Sequence, residues 1–344
     1  MPQCIFCLQE KEKLTDEHVF PAALGGVVVV KDSVCADCNH GFSKVEQPLI
    51  TELTPFRLLL KIPDRYGEVP HAAAVLKTGD KEYAGRVKGD GTVQVKPIVT
   101  EVKLEDGRRE FVHQFLTERK KERLRNEAQE KGHEFLETGP GEPIVAEVHI
   151  GGDLKFIGAP EGLRTAAKVA YVGLALVAGP KLAVSDAFSA VRAYVRDGSG
   201  QRVSRLFIHA RFLEAVQQGP HQHSIIIAAR NNKKRVDAIV RLFGGICYFV
   251  TLSENYGGAD FNQTIVYDAS RGEANGILQS HIAAETLEVE DVLTSGETVW
   301  DDLPASGKQF CEFLEAAVNR KMERQRAKAA GKESGKKSDS QNTN

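Results

Sequence analysis

Two Cys-x-x-Cys pairs, Cys4/Cys7 and Cys35/Cys38, limit what the first 50 residues can become. A Cys-x-x-Cys turn lets both sulfurs converge on one ion, and four thiolates can close a tetrahedral zinc site. Residues 8–34 between the pairs form a closed loop large enough for a hairpin. Zinc would stabilise a module whose own core is too small to fold alone. The spacing therefore predicts structural Zn²⁺ in a module over residues 1–55, although a plain zinc ribbon used only for binding has the same spacing.

The other two cysteines, Cys247 and Cys311, stand alone in apolar segments and are expected to be small buried hydrophobes. The N-terminus has no basic region followed by an apolar stretch, so no secretory signal is predicted. A reducing, cytoplasmic location is therefore expected. There, paired cysteines favour a metal over disulfides.

The chain has 344 residues, which favours two or three domains, and 42% of them are hydrophobic. Its formal net charge of −2 gives no sign of a generally basic nucleic-acid binder, so any such contact must come from local patches. The most apolar stretch, Val169–Gly179, is shorter than the roughly 20 residues that a bilayer span needs. It predicts a buried helix and no membrane partner.

Beyond the cysteine module, the pattern predicts an α+β protein. Residues 56–142 are expected to hold a strand-rich segment and a long charged helix over 108–137. Residues 143–320 are expected to form an α+β recognition or oligomerisation domain, and 321–344 a disordered basic tail. Within 143–320 the predicted elements are a strand pair at 144–158, two helices over 160–196, strands at 206–209, 224–228, 246–252 and 264–267, a basic linker or helix at 230–241, and a helix around 310–318.

Between the cysteine pairs lies the run Asp16-Glu17-His18-Val19-Phe20-Pro21, followed by Leu24-Gly25-Gly26, and Asn39 comes directly after the second pair. This combination, over residues 4–50, resembles the HNH (ββα-metal) endonucleases. It is closest to the branch with a Glu-His strand, a Leu-Gly-Gly turn and a Cys-x-x-Cys-Asn helix start. It is also similar to phage nucleases that resolve Holliday junctions. The resemblance implies His18 as general base, with Glu17 and Asn39 as ligands of a catalytic Mg²⁺ or Mn²⁺.

The chemistry of these side chains is consistent with that resemblance. Hydrolysis of a phosphodiester needs an activated water and neutralisation of phosphate charge. A neutral imidazole is a competent base near pH 7, and the Glu17 carboxylate and the Asn39 carboxamide offer hard oxygen ligands. Adjacent residues of a strand face opposite sides, so Glu17 and His18 are expected to divide these tasks.

Three features differ from the family pattern. Glu17 stands where aspartate is common, and the middle asparagine is missing, with Asp32 or Ser33 nearest its place. No histidine follows one to two helical turns after Asn39, so Asn39 is expected to serve as the ligand. Three alternatives stay open: His18 as a structural or surface histidine, Glu17 as a solvated carboxylate, and Asn39 as a helix cap.

Three basic segments are candidates for contact with a phosphate backbone. The first is the 119–125 stretch of the charged helix, where interleaved glutamates equally favour a solvated face with ion pairs. The second is Arg230–Arg235. The tail is the favoured contact, through Lys321, Arg324, Arg326 and Lys328.

The sequence therefore predicts a metal-dependent endonuclease with DNA as the expected substrate. Its layout resembles stand-alone bacterial nucleases of phage defence or mobile elements. Cutting both strands would favour a homodimer. Two other hypotheses remain: a non-catalytic zinc-binding adaptor for nucleic acid, and an effector that cuts only after an activating ligand or protein binds.

Overall fold

The computed structural model describes residues 1–64, 66–106, 109–114, 118–136, 147–150, 155–207, 221–270 and 277–278. The strands are β1 (Thr15–His18), β2 (Val29–Val34), β3 (Ala72–Thr78), β4 (Lys81–Val87), β5 (Val93–Val95), β6 (Ile98–Lys103), β7 (Arg109–Gln114), β8 (Glu147–His149), β9 (Ser204–Phe207), β10 (Gln222–Arg230), β11 (Arg235–Leu242), β12 (Ile246–Ser253), β13 (Phe261–Asp268) and β14 (Ile277–Leu278). The helices are α1 (Ala36–Glu52), α2 (Thr54–Leu60), α3 (Glu118–Glu130), α4 (Pro160–Ala178), α5 (Pro180–Ala183) and α6 (Ser189–Asp197).

Contacts divide these residues into two compact units. The first unit joins residues 1–69 to the described residues after 153, and the second unit spans 70–152. The predicted boundaries at 55 and 142 do not coincide with this division, because the cysteine module packs directly on segments that follow residue 153.

The first unit begins with an antiparallel hairpin of β1 and β2, followed by α1. This ββα order is the one predicted for the cysteine module. Later in the chain, six antiparallel strands form one sheet in the order β14-β13-β10-β11-β12-β9. Strands β10, β11 and β12 are almost completely buried, which explains their nearly continuous apolar sequences.

Helix α4 is the centre of the first unit. Apart from the half-buried Arg164, its residues from Gly162 to Ala175 are buried, because the helix has neighbours on two sides. On one side Gly173 lies against the sheet, where a Cβ would come within 2.8 Å of Ile225 Cδ1. On the other side the Tyr171 hydroxyl donates to the carbonyl of Ile5 in the cysteine module, at 2.8 Å. The cysteine module and the sheet thus share one apolar core around α4.

The second unit contains a four-stranded sheet in the order β5-β4-β3-β8, a two-stranded ribbon of β6 and β7, and α3. Helix α3 has no buried residue, and its charges pair along the helix, with Arg123 Nε 2.7 Å from Glu127 Oε1. This arrangement favours the alternative in which the basic stretch of α3 is a solvated, ion-paired face.

The α+β class is confirmed, and so are the helices of 160–196 and the four strands predicted between 206 and 267. The apolar stretch of 169–179 is buried as far as residue 175 and half-buried from 176 to 179. None of the helices in the described ranges has the length and apolar character to cross a membrane. The predicted helix around 310–318 and the tail of 321–344 lie outside the described residues.

Two predicted elements were wrong. The basic linker or helix at 230–241 is mainly the buried strand β11, because Arg235 pairs with Asp237 and thereby masks an apolar strand from Val236 to Leu242. The helix predicted over 108–137 is shorter, since residues 109–114 form β7 and pair in register with β6. Among the described residues of this stretch, 118–130 are helical.

Candidate active site

The four cysteines of the two pairs meet at one point of the first unit. The Sγ atoms of Cys4, Cys7, Cys35 and Cys38 all lie within 4.8 Å of one another. Tetrahedral zinc with Zn–S bonds of about 2.3 Å places its sulfurs about 3.8 Å apart, and Cys7 Sγ lies 3.7 Å from Cys35 Sγ. The cluster has the donor set and the spacing of a structural zinc site.

Local backbone geometry brings the two pairs together. In the first pair, Leu8 adopts a positive φ of 59°, and its N–H donates to the carbonyl of Cys4. In the second pair, Cys35 is the N-cap of α1, so Cys38 lies in the first helical turn. The backbone N–H of Cys35 donates to Cys4 Sγ at 3.4 Å. The hydrogen bond with Cys38 is the main reason that the pKa of Cys4 falls to about 4, and the same contact raises the pKa of Cys38.

The hairpin register separates Glu17 from His18. Glu17 lies opposite Val30 and His18 opposite Val29, so their side chains leave the strand on opposite faces, as predicted. Glu17 is buried, whereas His18 is half-buried at the end of β1.

The Leu-Gly-Gly turn that follows β1 needs both glycines. Gly25 has a positive φ of 88°, and a Cβ on Gly26 would overlap the carbonyl oxygen of Phe20. The turn is held from the sheet by Tyr267, whose hydroxyl donates to the carbonyl of Gly25. His223 Nε2 lies 3.0 Å from the carbonyl of Leu24. His223 is therefore a core histidine.

Asn39 connects α1 to the hairpin. Its Nδ2 donates to Thr15 Oγ1 at 3.1 Å, and that hydroxyl donates to the carbonyl of Val34 at 2.9 Å. Asn39 lies inside α1, and the N-cap is Cys35, so the helix-cap alternative for Asn39 was wrong.

The Glu17 carboxylate lies in a buried ion triad with Lys168 of α4 and Glu46 of α1. Lys168 Nζ contacts Glu17 Oε1 and lies 2.6 Å from Glu46 Oε1. The side chains of Glu17 and Lys168 are each 4% exposed. Burial raises the pKa of Glu17, and the charge of Lys168 opposes that shift. Burial alone would lower the pKa of Lys168, but the charges of Glu46 and Glu17 raise it, so Lys168 stays an ammonium.

This triad decides how well the predicted residues fit a catalytic metal. Glu17 is bound by an ammonium, so the alternative of a solvated carboxylate was wrong. Within the described part of the chain, no hydrogen bond joins Glu17 to Asn39. As arranged here, Glu17 does not fit an open divalent-metal site, because Lys168 fills the position beside its carboxylate.

Residues 4–54 match the family model described as HNH endonuclease. The N-terminal module belongs to the HNH endonuclease family. Neither the curated proteins nor the solved structures contain a match to the chain. An HNH domain implies a nucleic-acid substrate, and nucleases of this family use divalent metals. The two cysteine pairs, the hairpin and α1 all lie within the matched residues.

Sequence reasoning missed the two partners of Glu17. Glu46 lies seven residues after Asn39, which is two helical turns and so the same face of α1. Lys168 is the one charged residue in the apolar run from Thr165 to Gly179. A charge inside a buried helix requires a partner, and that rule was the available signal.

The other predicted nucleic-acid contacts have different outcomes. Arg230 and Arg235 both pair with the buried Asp237, at 3.4 and 2.8 Å, so their charges are engaged inside the first unit. Lys321, Arg324, Arg326 and Lys328 lie outside the described residues.

Proposed function

We propose that this protein is a metal-dependent endonuclease that hydrolyses phosphodiester bonds in DNA, with His18 as the general base. The observation that carries the proposal is the match of residues 4–54 to HNH endonucleases. It is supported by a Glu-His strand that pairs within a cysteine-held hairpin.

His18 is the side chain of the HNH domain that suits proton transfer. It is half-buried at the end of β1, on the face opposite the Glu17 triad. A neutral imidazole there would take a proton from the attacking water, as the water oxygen bonds to phosphorus and the sugar oxygen leaves.

Asn39 and Glu17 are the proposed ligands of a catalytic Mg²⁺ or Mn²⁺. A divalent cation supplies charge neutralisation on the phosphate. Both ligands are hard oxygen donors, and both side chains lie at the junction of the hairpin with α1. The closed state of Glu17 is the reason to consider a gated effector as the second candidate function. In that case an activating ligand or protein would be needed before Glu17 accepts a metal.

Further parts of the proposal concern the rest of the chain. The tail residues Lys321, Arg324, Arg326 and Lys328 would add affinity for DNA that does not depend on sequence. Two copies of the site would be needed to cut both strands, which favours a homodimer. A role in phage defence or in mobile elements is proposed by resemblance of the layout alone.

The test is cleavage of plasmid and single-stranded DNA by the zinc-loaded full chain in Mg²⁺, Mn²⁺ or EDTA. His18→Ala is expected to lower the rate of metal-dependent cleavage by about 10² or more, because a general base contributes that much. His40→Ala is the matched control, since His40 is an exposed histidine of the same domain. Full cleavage by His18→Ala with unchanged zinc content would refute His18 as the base. DNA binding without cleavage in any metal would favour the adaptor.

A further inference from the structure

The buried triad combines residues from three separate elements. Glu17 comes from β1, Glu46 from α1, and Lys168 from α4, far along the chain. Two carboxylates share one ammonium, so with all three ionised the triad has one negative charge in excess. A buried charge excess of this kind is unfavourable, and a divalent cation would remove it.

In the part of the chain that the structure describes, the triad has one unpaired carboxylate oxygen and one side that lies closer to solvent. The Oε2 atom of Glu17 is buried and has no hydrogen-bond partner among the described residues, so one carboxylate oxygen remains available. The Phe42 ring lies 5.5 Å from Lys168 Nζ and covers the ammonium on one side. The Glu46 side chain is 12% exposed, so the triad is closest to solvent there.

We infer that Glu17 and Glu46 form one cation site, that Lys168 fills it in the closed state, and that a divalent metal binds only by displacing Lys168. This inference rests on the proposed function, because it takes Glu17 as a ligand of the catalytic metal. Glu46 becomes a further ligand, on the helix face where the sequence offers no histidine. Lys168 becomes a positioning residue that holds the nuclease site shut.

The position of α4 explains how the site would open. Lys168 lies on the side of α4 that faces the HNH domain, while Gly173 lies against Ile225 of the sheet. A change in the sheet that shifts α4 would withdraw the ammonium from both carboxylates.

The test measures Mn²⁺ binding to the zinc-loaded full chain from the electron paramagnetic resonance signal of free Mn²⁺. Lys168→Met is expected to bind Mn²⁺ about tenfold or more tightly than the wild type, because the metal no longer has to break charge-assisted hydrogen bonds to an ammonium. Adding Glu46→Gln to Lys168→Met is expected to reduce this increase in Mn²⁺ affinity. Adding Glu17→Gln as well is expected to return Mn²⁺ binding to the wild-type level.

Lys168→Met leaves two carboxylates buried without a cation, so the Lys168→Met, Glu46→Gln variant serves if the single variant does not fold. Mn²⁺ binding no tighter than in the wild type, in whichever of these variants folds, would overturn the inference. Tighter binding that persists after Glu17→Gln and Glu46→Gln would also overturn it. Because binding is measured without cleavage, the result is independent of the His18→Ala test, and the two proposals can fail separately.

Discussion

Lys168 Nζ lies 2.6 Å from Oε1 of Glu46, and both side chains are buried in the first unit. Two elements far apart in the sequence are thus joined by charges that have little access to water. Removing one partner of a buried ion pair typically destabilises a protein by about 3–5 kcal/mol, because the other charge is left uncompensated. Replacing all the charges by neutral groups of similar shape is often nearly neutral.

We therefore expect Lys168→Ala to lower the free energy of unfolding by about 3–5 kcal/mol in the absence of divalent metal. The triple variant Glu17→Gln, Lys168→Met, Glu46→Gln should recover most of that loss. Lys181→Ala, at an exposed lysine of α5, is the control and should change the stability by less than about 0.5 kcal/mol. Urea unfolding measures the free energy of unfolding of the wild type and of all three variants. An unchanged midpoint for Lys168→Ala would contradict a stabilising triad.

Removal of zinc should unfold the HNH domain locally. Cys38→Ser is expected to lose bound zinc and to lower the melting temperature by on the order of 10 °C, because several kcal/mol of metal binding stabilise the fold. Cys247→Ser is the matched control. Its thiol is buried and lies 3.7 Å from the carbonyl of Gly245 in the sheet, so zinc content should stay at the wild-type value. Zinc is measured by atomic emission. Retention of zinc by Cys38→Ser would argue against the four-cysteine site.

Two glycines of the HNH domain should respond to alanine in opposite directions. Gly26→Ala is expected to destabilise by about 1–3 kcal/mol, because the new Cβ would overlap the carbonyl oxygen of Phe20. Gly41→Ala should stabilise by about 0.5–1 kcal/mol, since Gly41 lies in α1 and its Cβ would meet no atom within 4 Å. Thermal unfolding of both variants checks the sign of each change in stability. Equal effects would mean that the turn at Leu24-Gly25-Gly26 differs from the one described.

The buried His223 should make stability depend on pH. The backbone N–H of Phe243 donates to Nδ1, so the ring must be neutral, with its proton on Nε2 and directed to the carbonyl of Leu24. Burial lowers the pKa of His223 to about 4, against the opposing effect of the Leu24 hydrogen bond and of Asp268. The unfolded state, with a pKa near 6.5, therefore binds more protons between these values.

The resulting stabilisation is complete above about pH 6.5 and is lost as the pH falls towards 4, by about 3 kcal/mol. His223→Gln should lack this part of the pH dependence, whereas His40→Gln, at an exposed position of α1, should keep it. Urea unfolding at several pH values between 4 and 7.5 measures the difference. Parallel stability curves for the wild type and His223→Gln would refute the neutral buried state.

The sequence was informative where the pattern is local. The cysteine pairs, the Glu-His strand and the glycine turn are close in sequence, so the cysteine spacing predicted the sulfur cluster, and the resemblance of the whole run to HNH endonucleases predicted the ββα module. The Gly-Pro sequence at 179–180, where α4 ends and α5 begins, is a similarly local signal. These features depend on backbone geometry over a few residues.

The environment of Glu17 could not be read in this way. Its carboxylate was predicted to face a metal, and its charged neighbour comes from α4. Which helix packs on the hairpin depends on tertiary contacts that have no local pattern. For the same reason β11 was missed, since Arg235 and Asp237 appear polar in sequence and neutralise each other only in the folded sheet.

Helix α4 also limits which fragments of this protein can fold. The Phe6 ring lies 5.2 Å from the Tyr171 ring at a tilt of 55°, and the Tyr171 hydroxyl shares its one proton between the carbonyls of Ile5 and Ala183, at 2.8 and 2.6 Å. A fragment ending at residue 55 would lose these partners and expose apolar surface. Unlike a zinc finger, this HNH domain is therefore not expected to fold when it is fused alone to another protein. A fusion must include α4.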